Sequence, residues 1–271
     1  MINNILRGYK FIAIILLFVI ITSLLFYKGL SRNVKFNKIK KLNIGYIESG
    51  PYIDYPIILR NITEGLMELG ELPIYELPSL YGNNDSKVVW DVLTKIESKK
   101  IQFIEGGYWS SNWYSDKINE LREKIKREIK EKNINLIIAM GTLAGQIMAN
   151  EQFNTPTVVV HSVDPVKSGI TNSCADFKFP HIYTMCKKDM FERQIQIFYR
   201  LIDFKRLGVI YENSEYGKTV SAIDQIQKAS IDLDFQIIPC YAEFLNVSYI
   251  ESKEQVSKCF NYLSNNTDAI F

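Results

Sequence analysis

Residues 136–146 read LIIAMGTLAGQ: five strand-forming residues, then Gly141 and Thr142, then a helix-forming run. A strand that stops on a small polar pair and turns into a helix presents backbone N–H groups at its carboxyl edge. The positive end of the helix dipole lies behind them. Gly141 and Thr142 are therefore candidates for holding a carboxylate, and the plain alternative is a helix start capped by threonine. The ends of other apolar runs add candidates. Glu48 and Tyr52 lie in ESGPYIDY, Trp109 and Trp113 in GGYWSSNWY, Asp164 in HSVDPVKSG, and Asn213 and Ser214 in YENSEYG. Rings on connecting loops suit a planar or apolar ligand body, although such rings also simply pack. Asp164 before Pro165 is either a turn start or an exposed carboxylate for an ammonium group.

Chemistry beyond binding finds little support. There is no GxSxG, no HExxH and no cysteine placed beside a histidine with an orienting partner, so no catalytic residue is assigned and an enzyme is not expected. The two histidines, His161 and His181, are too few and too unaccompanied for a metal site. No GxGxxG follows a strand and no GxxxxGK[ST] occurs, so no cofactor is expected. A net charge of +2 without an interleaved basic and aromatic run gives no reason to expect nucleic acid. The four cysteines, Cys174, Cys186, Cys240 and Cys259, lack CxxC spacing. They pair if the domain is exported and are buried thiols otherwise.

These candidates must be positioned by regular elements, and the chain alternates two periods to supply them. Residues 42–47 form a strand pattern, and Ile58, Ile62, Leu66 and Leu69 follow at helical spacing. Short apolar runs recur at 101–104, 134–140, 157–161, 207–211 and 235–238. Between them the clearest helical stripe is Ile118, Leu121, Ile125 and Ile129. Residues 76–100 form an extra turn and helix. Such alternation implies parallel sheets covered by helices, in which ligands bind beyond the carboxyl ends of the strands. With 271 residues, 47% of them hydrophobic, the chain suffices for one bilobal or two small domains.

The amino-terminal segment differs. Residues 11–27 are uncharged and apolar, just long enough to span a bilayer as a helix. A cleaved signal peptide is the rival, but the run is longer than the usual apolar region and ends poorly for cleavage. Basic residues outnumber those before the run in the stretch after it, which by the positive-inside rule leaves the domain in the cytoplasm.

LIIAMGTLAGQIMA, TPTVVVHSVDPVKSGI and RLGVIYENSEYG, in that order and spacing, resemble the ABC-transporter substrate-binding family typified by TrpX-like proteins. The resemblance runs from about Leu42 to the end of the chain. It departs between Gly169 and Met190, where the family has a Gly/Asn-rich segment. It implies a two-lobed, type I periplasmic-binding-protein fold, α/β with parallel sheets flanked by helices. A small solute, an amino acid or aromatic compound, would be held between the lobes outside the cytoplasm, against the charge count. The expected organisation is a membrane anchor and basic linker at 1–41, a first lobe at 42–185 and a second lobe at 186–271. That second lobe is expected to be incomplete, because the chain stops in a strand. By the same resemblance Thr142 faces a carboxylate, Asp164 lies near ligand or hinge, and Asn213 and Ser214 reach in from the second lobe. The partners are a small-molecule solute, an ABC permease and, through the amino-terminal helix, the membrane. A ligand-sensing ectodomain joined to a signalling module is the alternative. If residues 11–27 anchor the protein, the membrane fraction retains them through carbonate extraction. A mature protein beginning near Ser31 would exclude the anchor.

Overall fold

The computed structural model describes residues 41–80, 85–187 and 189–271, so the apolar run at 11–27 lies outside the described residues. Among the described residues no helix is long and apolar enough to cross a membrane.

The first sheet contains β1 (Leu42–Glu48), β2 (Ile101–Ser110), β3 (Leu136–Met140), β4 (Thr157–Val160) and β5 (Ile182–Thr184) in the order β2-β1-β3-β4-β5. Every pairing is parallel. Parallel strands covered on both faces must be apolar on both, and β1 meets this demand. Ile44 and Tyr46 belong to one buried cluster, Ile47 to the cluster on the opposite face.

Helices α1 (Asp54–Glu68) and α2 (Ser86–Leu93) cover the first face. The buried stripe of α1 is Tyr55, Leu59, Thr63 and Met67, one position from the expected one. Ile58, Ile62 and Leu66 pack at its margin, and Leu69 lies beyond the helix end and exposed. Helix α2 starts at Asp85, whose carboxylate accepts the Lys87 N–H at 2.8 Å. The opposite face is covered by α3 (Ile118–Glu131) and α4 (Thr142–Met148). Ile125 is the buried anchor of α3, flanked by partly buried Ile118, Leu121 and Ile129.

Strand β2 runs further than its apolar start implies. Ile44 pairs with Phe103, but Tyr46 pairs with Tyr108, so β2 inserts extra residues opposite β1 and then resumes the ladder to Ser110. Gly106, at φ +67°, lies inside that irregularity. Tyr108 and Trp109 therefore stand in a strand and not in a loop.

The second sheet is smaller. After α5 (Met190–Ile202) come β6 (Arg206–Tyr211), α6 (Glu215–Val220), α7 (Ile223–Leu233), β7 (Gln236–Tyr241), α8 (Tyr249–Asn266) and β8 (Ala269–Ile270). The strand order is β7-β6-β8, again parallel. Its core joins Ile195 and Phe204 to Leu207, Val209, Ile226 and Phe235.

All four cysteines are paired. Cys174–Cys186 closes a loop beside β5, with Cα atoms 5.2 Å apart. Cys240–Cys259 fastens β7 to α8, with Cα atoms 5.5 Å apart and a sequence separation of 19. A cross-link of that span restricts the unfolded chain by roughly 2–4 kcal/mol. Replacing Cys240 and Cys259 together by serine is expected to lower unfolding free energy by about that amount, measured by urea denaturation. An unchanged midpoint would show that packing alone holds α8 to β7.

Candidate functional site

In a parallel sheet of order 2-1-3-4-5, the connections leave β1 and β3 toward opposite faces, opening a crevice between their carboxyl ends. Ser49 follows β1 there, and Gly141 and Thr142 follow β3. The Ser49 N–H donates to the Met140 carbonyl at 3.0 Å, and its hydroxyl accepts the Ala144 N–H at 3.1 Å in the first turn of α4. Its carbonyl accepts the Trp113 N–H at 2.9 Å and the Ser111 hydroxyl. One residue thus joins the ends of three strands.

Gly141 sits at φ +92°, a conformation open to glycine. A Cβ there would overlap the hydroxyls of Tyr55 and Ser49. Tyr55 is buried and hydrogen-bonded to Ser49, and burial pushes its phenol above the ordinary tyrosine range. Around it the rings form a chain. Tyr52 is 5.2 Å from Tyr55 and 5.9 Å from His161; Tyr55 meets His161 edge-on at 5.8 Å and Trp113 at 6.4 Å. Asp54, the first residue of α1, places a carboxylate oxygen 3.7 Å from His161 Nε2.

The second lobe meets this edge with its own strand ends. Tyr216 on α6 and Leu245 beyond β7 pack against the first lobe's core. Asn246 donates its N–H to the Trp113 carbonyl at 3.0 Å, and its side-chain oxygen accepts the Ser115 N–H at 2.8 Å. On the other side Lys167 forms an ion pair with Asp224 of α7.

The residues named from sequence distribute unevenly over this geometry. Gly141, Tyr52 and Trp113 stand at the crevice together. Thr142 is buried as the first residue of α4, and its hydroxyl accepts the Val163 N–H at 3.1 Å. Asp164 turns its carboxylate to the Lys167 N–H at 2.9 Å, closing a local turn. Asn213 is exposed beyond β6. Ser214 caps α6 by accepting the Gly217 N–H at 3.0 Å, and it donates to Glu212 at 2.7 Å.

Two named residues turn elsewhere. Trp109 alternates onto the α3 face of β2, is 2% exposed, and donates its indole N–H to Glu128 at 3.0 Å. Glu48 alternates onto the α1 face, where Tyr46, Tyr108, Ser86 and Ser110 surround its carboxyl group. The residues missed were Ser49, Tyr55, Tyr216, Glu212 and Asn246. Tyr55 carried a usable signal, since it lies three positions after Tyr52 at a helix start. Glu212 accepts the Phe244 and Leu245 N–H groups, each at 3.0 Å, and so orders the loop that carries Asn246. Among the described residues no group of three or more His, Cys, Asp or Glu could hold a metal ion.

Two parallel α/β sheets flanked by helices, with their carboxyl edges in contact, define the periplasmic-binding-protein type of fold. The sequence profile described as ABC transporter substrate binding protein matches residues 82–269, and the chain belongs to that family. Among solved structures it is similar to a conserved domain protein from Vibrio cholerae, at 14% identity and a TM-score of 0.59. It is also similar to the ABC domain in complex with L-Trp from Streptococcus pneumonia, at 12% identity and a TM-score of 0.57. In both comparisons 85% of this chain and 64% of the other chain are covered. Leucine binding protein LivK from Thermotoga maritima gives 16% identity and a TM-score of 0.50, covering 84% of this chain and 55% of that one. The chain therefore spans less than two thirds of the length of these relatives, and at such identities the likeness is one of fold. Comparison with curated proteins gives no match.

Burial raises the Glu48 carboxyl above its usual range near 4.5, and hydrogen bonds from Tyr108, Ser86, Ser110 and Tyr46 pull it down only in part. The neutral carboxyl is thus the form the fold favours. Its stabilising contribution is present below the ordinary glutamate pKa and is lost as pH rises through the elevated one. Glu48→Gln keeps polar groups in place and cannot ionise, so it should be more stable than the parent at neutral pH and show a flatter pH profile. Parallel stability–pH curves for the two proteins would refute this.

Proposed function

We propose that the chain is the extracytoplasmic solute-binding component of an ABC-type importer, receiving a small solute between its two lobes and presenting it to a permease. The observation that carries this reading is the meeting of two β–α edges. The β1/β3 crevice, lined by Gly141, Tyr52, Tyr55 and Trp113, is faced by Tyr216 and Asn246 of the second lobe. Crevices of this kind are where open α/β sheets take ligands. The aromatic lining suits an aromatic or apolar solute body, with ring contacts contributing roughly 0.5–1.5 kcal/mol per pair. The streptococcal neighbour in complex with L-Trp and the leucine binding protein LivK support an apolar solute. Two disulfides support an oxidising compartment, and they outweigh the loop-charge bias, which short flanking sequences express only statistically. Anchoring by residues 11–27 accords with that location.

A thermal-shift screen of amino acids and aromatic acids on the full chain tests the reading, and a hit can be dissected by calorimetry. Thr142→Val removes the acceptor of the half-buried Val163 N–H, so stability should fall by about 0.5–1.5 kcal/mol. Where the hydroxyl also donates to the solute, affinity falls by roughly 1.5–3 kcal/mol for a charged acceptor. Stability lost with affinity intact would leave Thr142 as a structural residue alone. Trp113→Ala should weaken an aromatic solute and spare an aliphatic one.

A further inference from the structure

The lobes are joined differently on the two sides of the crevice. Beyond β4, Lys167 and Asp224 form an ion pair between side chains that are 32% and 63% exposed, and a pair so exposed contributes little. Beyond β2, Asn246 of the second lobe bonds to the turn that leads into α3. Its N–H donates to the Trp113 carbonyl at 3.0 Å. Its side-chain oxygen accepts the N–H groups of Ser115 at 2.8 Å and Asp116 at 3.4 Å, and its side-chain nitrogen donates to the Ser115 hydroxyl at 2.9 Å.

The loop that carries Asn246 moves with the second lobe, since Glu212 at the end of β6 accepts the Phe244 and Leu245 N–H groups. The turn it grips is strained. Asn112 and Trp113 hold φ values of +49° and +65°, and Asn246 itself holds +60°. Residues with side chains keep such values only where surrounding contacts over-determine them. Helix α3 starts after this turn with Lys117 at its cap position and no side-chain cap bond. The Ser115 and Asp116 N–H groups are instead satisfied from across the lobe boundary. When the lobes part, those groups lose their acceptor and the Trp113 carbonyl loses its donor. The Trp113 ring stands 6.4 Å from that of Tyr55 at the crevice, so the conformation of this turn decides where the indole lies.

Resting on the solute-binding reading above, we infer that Asn246 is a positioning residue for solute binding. It bonds to residues 113–116 only when the lobes are closed, and so fixes the Trp113 indole against an occupied crevice. Capture happens before these bonds form and release requires that they break. Asn246 therefore sets how long a solute stays and not how fast it enters. The ion pair beyond β4 has no such part.

Asn246→Gly tests this on the full chain, because glycine accepts the left-handed backbone and keeps the N–H while the side chain is lost. Two measurements need no solute. Trp90 and Trp109 are 1% and 2% exposed, so acrylamide quenching of tryptophan emission reports Trp113, the third of three tryptophans. Asn246→Gly should raise that quenching and speed hydrogen exchange at the Ser115 amide. Asn246→Asp keeps an acceptor oxygen and should leave both near the parent. Stopped-flow kinetics with L-phenylalanine, or with the tightest solute of the screen above, then separate the two rates. Dissociation should be about tenfold faster in Asn246→Gly, the scale of one or two net hydrogen bonds, with association unchanged and Asn246→Asp restoring the parental rate. Asp224→Asn should change dissociation by less than about threefold. Parental dissociation or parental quenching in a cooperatively melting Asn246→Gly, or a larger effect from Asp224→Asn, overturns the inference and leaves Asn246 as a structural contact. A parent protein that binds neither L-phenylalanine nor any solute of the screen overturns the solute-binding reading itself, and this inference with it.

Discussion

Ser49 uses every polar atom it owns, and the geometry of the crevice follows from that. Its N–H and hydroxyl fix the spacing between the ends of β1 and β3, while its carbonyl fixes the turn after β2. Because the hydroxyl also receives the Ala144 N–H, α4 cannot slide along the sheet without breaking the same node. Each bond contributes a modest net amount, about 1 kcal/mol. Their effect is geometric: Gly141, Tyr55 and Trp113 are placed by reference to one fully buried residue.

The two sheets repeat one another in a way that explains why their edges meet. In each, the first strand in sequence is an inner strand, and the next pairs on one side of it, with a later strand on the other. Each sheet therefore opens its crevice beside its own first strand. At β1 the connection carries Ser49 and Tyr52, and at β6 it carries Glu212 and Ser214. Glu212 plays for the second lobe a role comparable to that of Ser49, gathering the Phe244 and Leu245 N–H groups so that Asn246 projects onto Trp113.

Much of the strand–helix order was legible because parallel strands buried on both faces leave short apolar runs that few other structures produce. The α1 stripe shifted by one residue for a reason apolar periodicity misses: Thr63 is buried because its hydroxyl donates to the Leu59 carbonyl within the helix. Trp109 reads as a loop residue from sequence because the apolar run ends at Ile104. The ladder instead absorbs the extra residues and resumes, and alternation then carries Trp109 into the core. Gly141 and Thr142 stood out as a strand end, but whether Thr142 points at a solute or at Val163 depends on a neighbour 21 residues away. Spacing alone does not encode that contact. The cysteine pairs, 12 and 19 residues apart, were beyond reach for the same reason.

Left-handed backbone concentrates beyond the carboxyl ends of the first sheet. Several such residues, among them Asp203 and Asp234, sit at helix ends where the conformation is ordinary. Asn112, Trp113 and His161, with Gly141, instead follow strands of the first sheet, and Asn246 answers them from the second lobe. A residue carrying a side chain holds that conformation only where surrounding contacts over-determine it. At Trp113 those contacts are the bond to Ser49, the bond from Asn246 and the indole N–H on the Pro51 carbonyl at 3.3 Å. The strain redirects side chains that would otherwise continue the strand alternation, bringing Trp113 toward Tyr55 and His161 toward Asp54. The aromatic surface is thus a product of backbone held out of its preferred range by the packed first lobe and gripped from the second.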